Sequence, residues 1–226
     1  EIAQHLHQKQ WNIIIHYNRA AKEAVLLNEK LNETRPNSAK LVKTNFNQFE
    51  EIIELGQKAQ NCWQRIDALI HNASTFFPTH FENATLNQYD DLFNSNFKAP
   101  FFLTQQLLTP LRKAQGNIIF ILDAHLTKPR INYSLYMAAK AALASLTKNL
   151  AVELAPEIRV NAISPGAIIW PEGENHPTPE HKQNTINKIP LKRTGSMIDI
   201  AETAAFLLEQ NYITGVNIAV DGGLHL

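Results

Sequence analysis

Apolar residues in this chain follow two rhythms, compact unbroken runs and longer stretches in which they recur every three or four positions, and the two alternate from end to end. Ile2, Ala3 and Leu6 have helical spacing within residues 1–10, and Trp11 leads into a buried strand at 12–17. A helix is predicted over 20–32, ending before Pro36, followed by a short strand at 40–44, a helix at 48–63 and a strand at 67–71. The next periodic stretch predicts one long helix over 89–113, which has to place Pro100 and Pro110 near bends or ends. Gly116 breaks the chain before strand 117–122, an alanine-rich helix at 133–154 stops before Pro156, and strand 158–163 enters a Pro-rich segment at 165–179. A helix at 198–210 and a strand at 217–220, before Asp221-Gly222-Gly223, close the series. Strands alternating with helices predict an α/β fold, a parallel sheet covered on both faces in the doubly wound arrangement, with residues 1–226 forming one domain. Residues 166–185 lack a periodicity and read as either a substrate lid or a variable surface excursion.

Composition narrows the partners. A chain of 226 residues with 44% hydrophobic content can bury one sizeable core. Lysine plus arginine equals aspartate plus glutamate at 21 each, so nothing marks a surface for nucleic acid or anionic membrane, and a small molecule or a second copy of the chain is expected instead. Cys62 is the only cysteine, which excludes an internal disulfide or a cysteine-built zinc site; no metal is expected, and the cytoplasm is the expected location. No apolar run approaches the roughly 18 residues of a membrane span, and no signal-peptide pattern opens the chain.

The chemistry begins at Asp123 in FILDAHL, where a run of β-formers reaches the carboxyl edge of a predicted strand. Ligands bind at that edge in open parallel sheets, so the carboxylate is either a solvated strand end or a working group. Tyr136 and Lys140 lie four apart on the alanine-rich helix and share a face. An adjacent cation would favour the phenolate and bring its proton transfer toward neutral pH, although such a pair taken alone usually decorates a solvated face.

The neighbours decide. Asp123 precedes Tyr136 by thirteen residues, Asn96 lies in SNFKAP, HNAS closes one strand at 71–74 and SPG closes another at 164–166. With this ordered set the sequence resembles the short-chain dehydrogenase/reductase family along essentially its whole length. YMAAK matches the family's Tyr-x-x-x-Lys, HNAS its Asn-Asn-Ala-Gly, NAISPG its strand-to-loop Pro-Gly, and YITG with VDGG its C-terminal signature. The resemblance implies a Rossmann-type fold and a nicotinamide cofactor. Family members open with a strand and a Thr-Gly-x-x-x-Gly-x-Gly turn whose backbone amides meet the cofactor pyrophosphate. This sequence contains no such turn, and its first helix resembles the one that follows it, so the N-terminal strand and phosphate loop are expected to be missing from the chain as given.

In the family the cofactor is selected after the second strand, where HYNRA offers no acid. His16, Tyr17, Asn18 and Arg19 therefore imply NADP(H), with Arg19 as the main partner of the 2′-phosphate. Asn45 and Phe46 would flank the adenine, and Asn72, Ala73, Ser74, Pro165 and Gly166 would line the rest of the cofactor together with Tyr136 and Lys140. Within the family the resemblance is to the pteridine reductases, carried by the His-Tyr-x-Arg at 16–19, by the Ser-Thr-Phe at 74–76 and by an aspartate in place of the usual catalytic serine. It implies reduction of a pterin or folate, with Asp123, Tyr136, Lys140 and Asn96 catalytic. Ser74, Phe76, Asp123, Tyr136, Ile168 and Trp170 would contact the substrate, Phe76 stacking it against the nicotinamide. Ala20, His71 and residues 167–170 depart from the family pattern. The alternatives are a carbonyl reductase acting on a 3-oxoacyl thioester, which predicts a hydroxyl at position 123, and a non-catalytic NADP-binding member, which predicts loss of Tyr136, Lys140 or Asp123. The enoyl reductase branch spaces its tyrosine and lysine further apart. The small-residue face from Ala138 to Ala151 and the family habit imply a homotetramer.

Overall fold

In the computed structural model, residues 1–170 and 177–226 are described. The chain runs α1 (Ile2–Gln8), β1 (Ile13–Tyr17), α2 (Ala21–Thr34), β2 (Ala39–Lys43), α3 (Phe49–Trp63), β3 (Ala68–His71), α4 (Leu86–Phe93), α5 (Ala99–Ala114), β4 (Asn117–Ile121), α6 (Ser134–Glu153), β5 (Arg159–Pro165), α7 (Pro179–Lys188), α8 (Met197–Glu209) and β6 (Asn217–Val220). Every strand pairing is parallel, as an alternation of strands and helices requires. The ladder is divided, with β1 paired to β2 while β3-β4-β5-β6 form a second sheet. A cavity of about 1140 Å³ lies between them, walled by Ile13–Ile15 on one side and Ala68–His71 on the other.

β4 shows why the sheet carries two helix layers. All five of its residues are buried, and alternate side chains serve opposite cores. Ile118 and Phe120 pack with Ile52, Leu55, Leu103, Leu107 and Leu143 from α3, α5 and α6, whereas Ile119 and Ile121 pack with Leu6 of α1 and Ile200, Ala204 and Leu207 of α8. No helix among the described residues is long and apolar enough to cross a membrane.

Two expectations need correction. The single helix over 89–113 is instead α4, a π-helical turn at Asn94–Lys98, and α5. Pro100 has no N–H to give the carbonyl one turn back, so the ladder widens there. The start is also earlier, because Thr85 and Gln88 form a reciprocal capping box at 3.0 and 3.3 Å. Pro110 stays inside α5, and the Gln106 carbonyl that it cannot serve accepts from the Gln60 side chain of α3 at 3.4 Å. The stretch 166–185 is not uniformly irregular either, since α7 occupies its end, with Thr178 accepting from His181 N–H and Pro179 at the first helical position. None of its residues is buried, so no apolar stripe announces it. Residues 171–176 of the expected lid lie outside the described residues.

His71, at the end of β3, is buried, stacked on Phe120 at 4.9 Å and hydrogen-bonded to Thr104 Oγ1 at 2.9 Å. Burial lowers its imidazole to about 3. The folded value lies below the unfolded one, so between about pH 3 and 6.5 the unfolded chain takes up a proton that the folded chain refuses, and stability falls on acidification. His71→Asn removes this dependence. The drop in unfolding free energy between pH 7 and pH 5 is expected to shrink by about 2 kcal/mol, read from denaturant melts of both proteins.

Candidate active site

Three strand ends converge at one edge of the four-stranded sheet: β3 runs into residues 72–75, β4 into Leu122 and Asp123, and β5 into Gly166. α6 crosses beneath, burying Tyr136, Ala139, Lys140 and Leu143 along one stripe. The stripe is apolar where it joins the core at Leu143 and polar where it reaches the sheet edge. That change of character along one helix face is what places a phenol and an ammonium beside Asp123.

The Tyr136 hydroxyl donates to Asp123 Oδ2 at 3.0 Å. The other carboxylate oxygen accepts from the His125 backbone N–H at 2.8 Å and lies 3.0 Å from His125 Nδ1. Asp123 thus caps the short 3-10 turn Ala124–Thr127 while holding the tyrosine. Lys140, only 3% exposed, donates to the Ile121 carbonyl at 2.8 Å, its one hydrogen bond among the described residues. The Ser74 hydroxyl donates to Asn96 Oδ1 at 2.6 Å, and Asn96 Nδ2 donates to the carbonyls of Thr75 and Leu92 at 2.8 and 2.9 Å. Asn96 sits on the π-helical turn, so the proline that widens the helix also positions this amide against the β3 loop.

The electrostatics assign protons. Burial raises the Asp123 carboxyl, but the hydrogen bonds from the His125 ring and backbone, with help from Tyr136, outweigh it and leave the group below its ordinary value, hence ionised at neutral pH. Burial pushes the Tyr136 phenol well up, and the Asp123 charge pushes it further, against smaller opposing effects of Arg130 and Ser74. Burial lowers Lys140 to about 8 while Asp123 pulls the other way. The expected phenolate is therefore not found: Lys140 Nζ lies 5.7 Å from the Tyr136 ring centroid, and the tyrosine keeps its proton. Asn96 meets Tyr136 and Lys140 only indirectly, its amide serving Ser74 and two backbone carbonyls. The arrangement is a protonated donor hydrogen-bonded to a carboxylate, with an ammonium behind both.

The expected cofactor residues line the approach to this edge. His16 Nε2 lies 3.1 Å from the Thr44 carbonyl and its ring stacks on Phe46 at 4.3 Å; burial lowers its imidazole, against the Thr44 bond. Asn18 Nδ2 reaches Asn45 Oδ1 at 3.5 Å, and that oxygen also accepts from Asn47 N–H at 3.1 Å. Tyr17 ends β1, and Asn18 and Arg19 are exposed beyond it. His16, Phe46, Asn72, Ala73, Pro165 and Ile168 share the wall of the large cavity, whereas Asp123, Tyr136 and Lys140 lie outside it. Gly166 packs against Asp221 so closely that a Cβ there would stand 2.6 Å from that of Asp221. A buried ammonium with unused donors beside an open strand edge suits the ribose hydroxyls of a dinucleotide, and the residues present fit such a group.

Of the expected substrate residues, Phe76 stacks on Tyr133 at 4.9 Å and meets Tyr136 edge-on at 4.9 Å. Ile168 packs partly into the α1/α8 core, and Trp170 has Lys182 Nζ 5.9 Å from its ring. Sequence reasoning passed over His125, Tyr133 and Arg130. The signal for His125 was the Asp-x-His spacing, which lets one carboxylate meet both the backbone and the ring two residues on.

A parallel α/β fold with a buried tyrosine and lysine beside a carboxylate at the strand ends defines a dinucleotide-linked oxidoreductase. A family model described as enoyl-(acyl carrier protein) reductase matches residues 1–225, and the chain belongs to the short-chain dehydrogenase/reductase family, whose members use NAD(P)H. It is 31% identical to pteridine reductase 1 of Leishmania tarentolae over 267 aligned positions, covering 100% of this chain and 91% of that protein. It is 30% identical to a 3-oxoacyl-[acyl-carrier-protein] reductase of Staphylococcus epidermidis, covering 100% and 93%. A peroxisomal 2,4-dienoyl-CoA reductase of Saccharomyces cerevisiae is 34% identical over 78% of this chain and 62% of that protein.

Proposed function

We propose that this oxidoreductase uses NADPH to reduce a pterin or folate, taking a dihydropterin to the tetrahydro level. The observation that carries the reading is the 3.0 Å hydrogen bond from Tyr136 to Asp123. A carbonyl substrate needs donors aimed at one developing oxyanion, which an ionised carboxylate would repel. A pterin presents ring nitrogens and an amino group, for which an acceptor is useful. The similarity to a pteridine reductase over the whole chain supports the same choice.

Lys140 would hold the nicotinamide ribose, Asn72, Ala73, Ser74, Pro165 and Gly166 would border the cofactor, and Asn45 and Phe46 would flank its adenine. His16 to Arg19 would surround the 2′-phosphate, with Arg19 supplying the charge. When bound, the reduced nicotinamide supplies a hydride to the carbon of a ring C=N bond. Tyr136 gives its proton to the nitrogen of that bond, which completes the balance. Asp123 orients the phenol, accepts an N–H of the substrate and returns a proton to Tyr136 from the side of His125, whose ring reaches solvent. Lys140, charged below about pH 8, offsets the negative charge left on the Tyr136–Asp123 pair. Asn96 fixes Ser74 where cofactor and substrate meet, Phe76 supports the flat ring, and Ile168 and Trp170 border it. Residues 1–226 act as one NADP-binding unit, in a cytoplasmic homotetramer packed through the small-residue face of α6.

The second reading, a 3-oxoacyl thioester reductase, is favoured by the 30% identity to such an enzyme over the full chain. NADPH oxidation by the full-length protein, followed with dihydrobiopterin, dihydrofolate and a 3-oxoacyl thioester, separates the two. Turnover of the pterins is expected; turnover of the thioester alone reverses the assignment, and turnover of none supports the non-catalytic alternative.

A further inference from the structure

The loop after β4 carries a cation that the reaction scheme does not use. Arg130 lies with its guanidinium carbon 4.2 Å from the Tyr133 ring centroid and 5.1 Å from that of Phe76, so the two stacked rings hold it from below. Cation–π contact of this kind fixes the plane of a guanidinium without consuming its N–H donors. Among the described residues the guanidinium meets no carboxylate and no carbonyl, and the side chain is half-buried. The same arginine sits close enough to Tyr136 to oppose the rise in its pKa, which locates it beside the reaction centre.

The loop is also tied down. Lys128 Nζ donates to the carbonyls of Leu224 and Leu226 at 2.7 and 2.6 Å, Thr79 N–H donates to the Asn132 carbonyl at 2.6 Å, and Tyr133 N–H donates to that of Arg130 at 3.3 Å. An arginine on an anchored loop, stacked on aromatic faces and with its fork of donors open, is prepared for a planar bidentate anion before any ligand arrives. We propose that Arg130 is a specificity-determining residue that binds a carboxylate projecting from the substrate beyond its flat ring, so that the enzyme prefers acidic conjugates such as folates to uncharged pterins. This rests on the pterin and folate reading of the site.

The test compares dihydrofolate, which carries carboxylates, with dihydrobiopterin, which carries a neutral side chain. In the wild type the KM for dihydrofolate rises with salt, since an accessible ion pair is screened, and that for dihydrobiopterin stays level. Arg130→Met keeps bulk over the two rings and removes the charge. It is expected to lower the ratio of kcat/KM for dihydrofolate over dihydrobiopterin roughly fivefold to tenfold and to abolish the salt effect. Arg130→Lys restores part of both. An unchanged ratio, or equal losses with the two substrates, overturns the proposal and identifies Arg130 as packing for Phe76 and Tyr133. Turnover of neither substrate by the wild type removes the pterin reading and this inference together, whereas turnover of both with an unaltered ratio removes this inference alone.

Discussion

Replacing Asp123 with serine lowers kcat for dihydropterin reduction roughly 100-fold or more, the range lost when a positioned proton carrier is removed. NADPH affinity, read by titrating cofactor fluorescence, stays within about twofold, on the order of the error in such contacts. The reason is the division of labour between the two carboxylate oxygens. Oδ1 serves His125 and Oδ2 serves Tyr136. A serine hydroxyl can accept from the His125 backbone N–H, as caps do, but a single oxygen on a shorter side chain cannot also reach the phenol. Losing the charge also removes one of the effects that raise the Tyr136 pKa, so the phenol becomes more acidic without becoming better placed. Asp123→Asn is the companion variant: it keeps the shape and the cap and removes only the charge. If Asp123→Asn retains wild-type pterin turnover, the carboxylate is structural; if NADPH affinity falls in step with kcat in both variants, the residue supports the cofactor site instead.

The centre of the site was legible because it is written at short range. Tyr136 and Lys140 are one helical turn apart and Asp123 ends an apolar run, and the ordered company of Asn96, HNAS and SPG is what marks them as a site rather than a solvated face. What escaped depends on groups that meet through space. Asn96 faces Ser74 only because Pro100 converts a turn of helix to π geometry, and a sequence pattern that treats Pro100 as a bend cannot say which side chain the bend re-aims. Arg130 is placed by two rings, one of them far back in the β3 loop. The protonation of Tyr136 was misjudged for a related reason: spacing puts a lysine nearby, but burial and an opposing carboxylate dominate the phenol, and neither is visible in i, i+4 logic. In the fold, the alternation of strand and helix was readable from unbroken apolar runs such as that of β4, buried along its whole length, set between stretches of helical spacing, while α7 carries no buried residue and left no periodic trace.

Tyr136→Phe tests the other half of the relay and should cost about 10²- to 10⁴-fold in kcat, because the phenol is the group that carries the proton. The ring itself is retained, edge-on to Phe76 at 4.9 Å, so the aromatic cluster and the fold survive; the net loss of one hydrogen bond is about 1 kcal/mol and shows as a small fall in Tm. Asp123 keeps both bonds from His125 but loses the one from Tyr136, so its carboxyl moves up toward the ordinary value while remaining ionised at neutral pH. The pH profile gives the mechanism away. In the wild type kcat is expected to hold level below about pH 8 and fall above it, because a lysine whose folded value is lowered to about 8 keeps its charge only on the acid side. With phenylalanine at 136 no anion forms on the ring, the Lys140 charge has less to offset, and the residual rate should lose most of that basic limb. A variant that keeps kcat within tenfold of the wild type, or that keeps the full basic limb, would show that the proton reaches the substrate from Asp123 or solvent and that Tyr136 serves only to position the carboxylate.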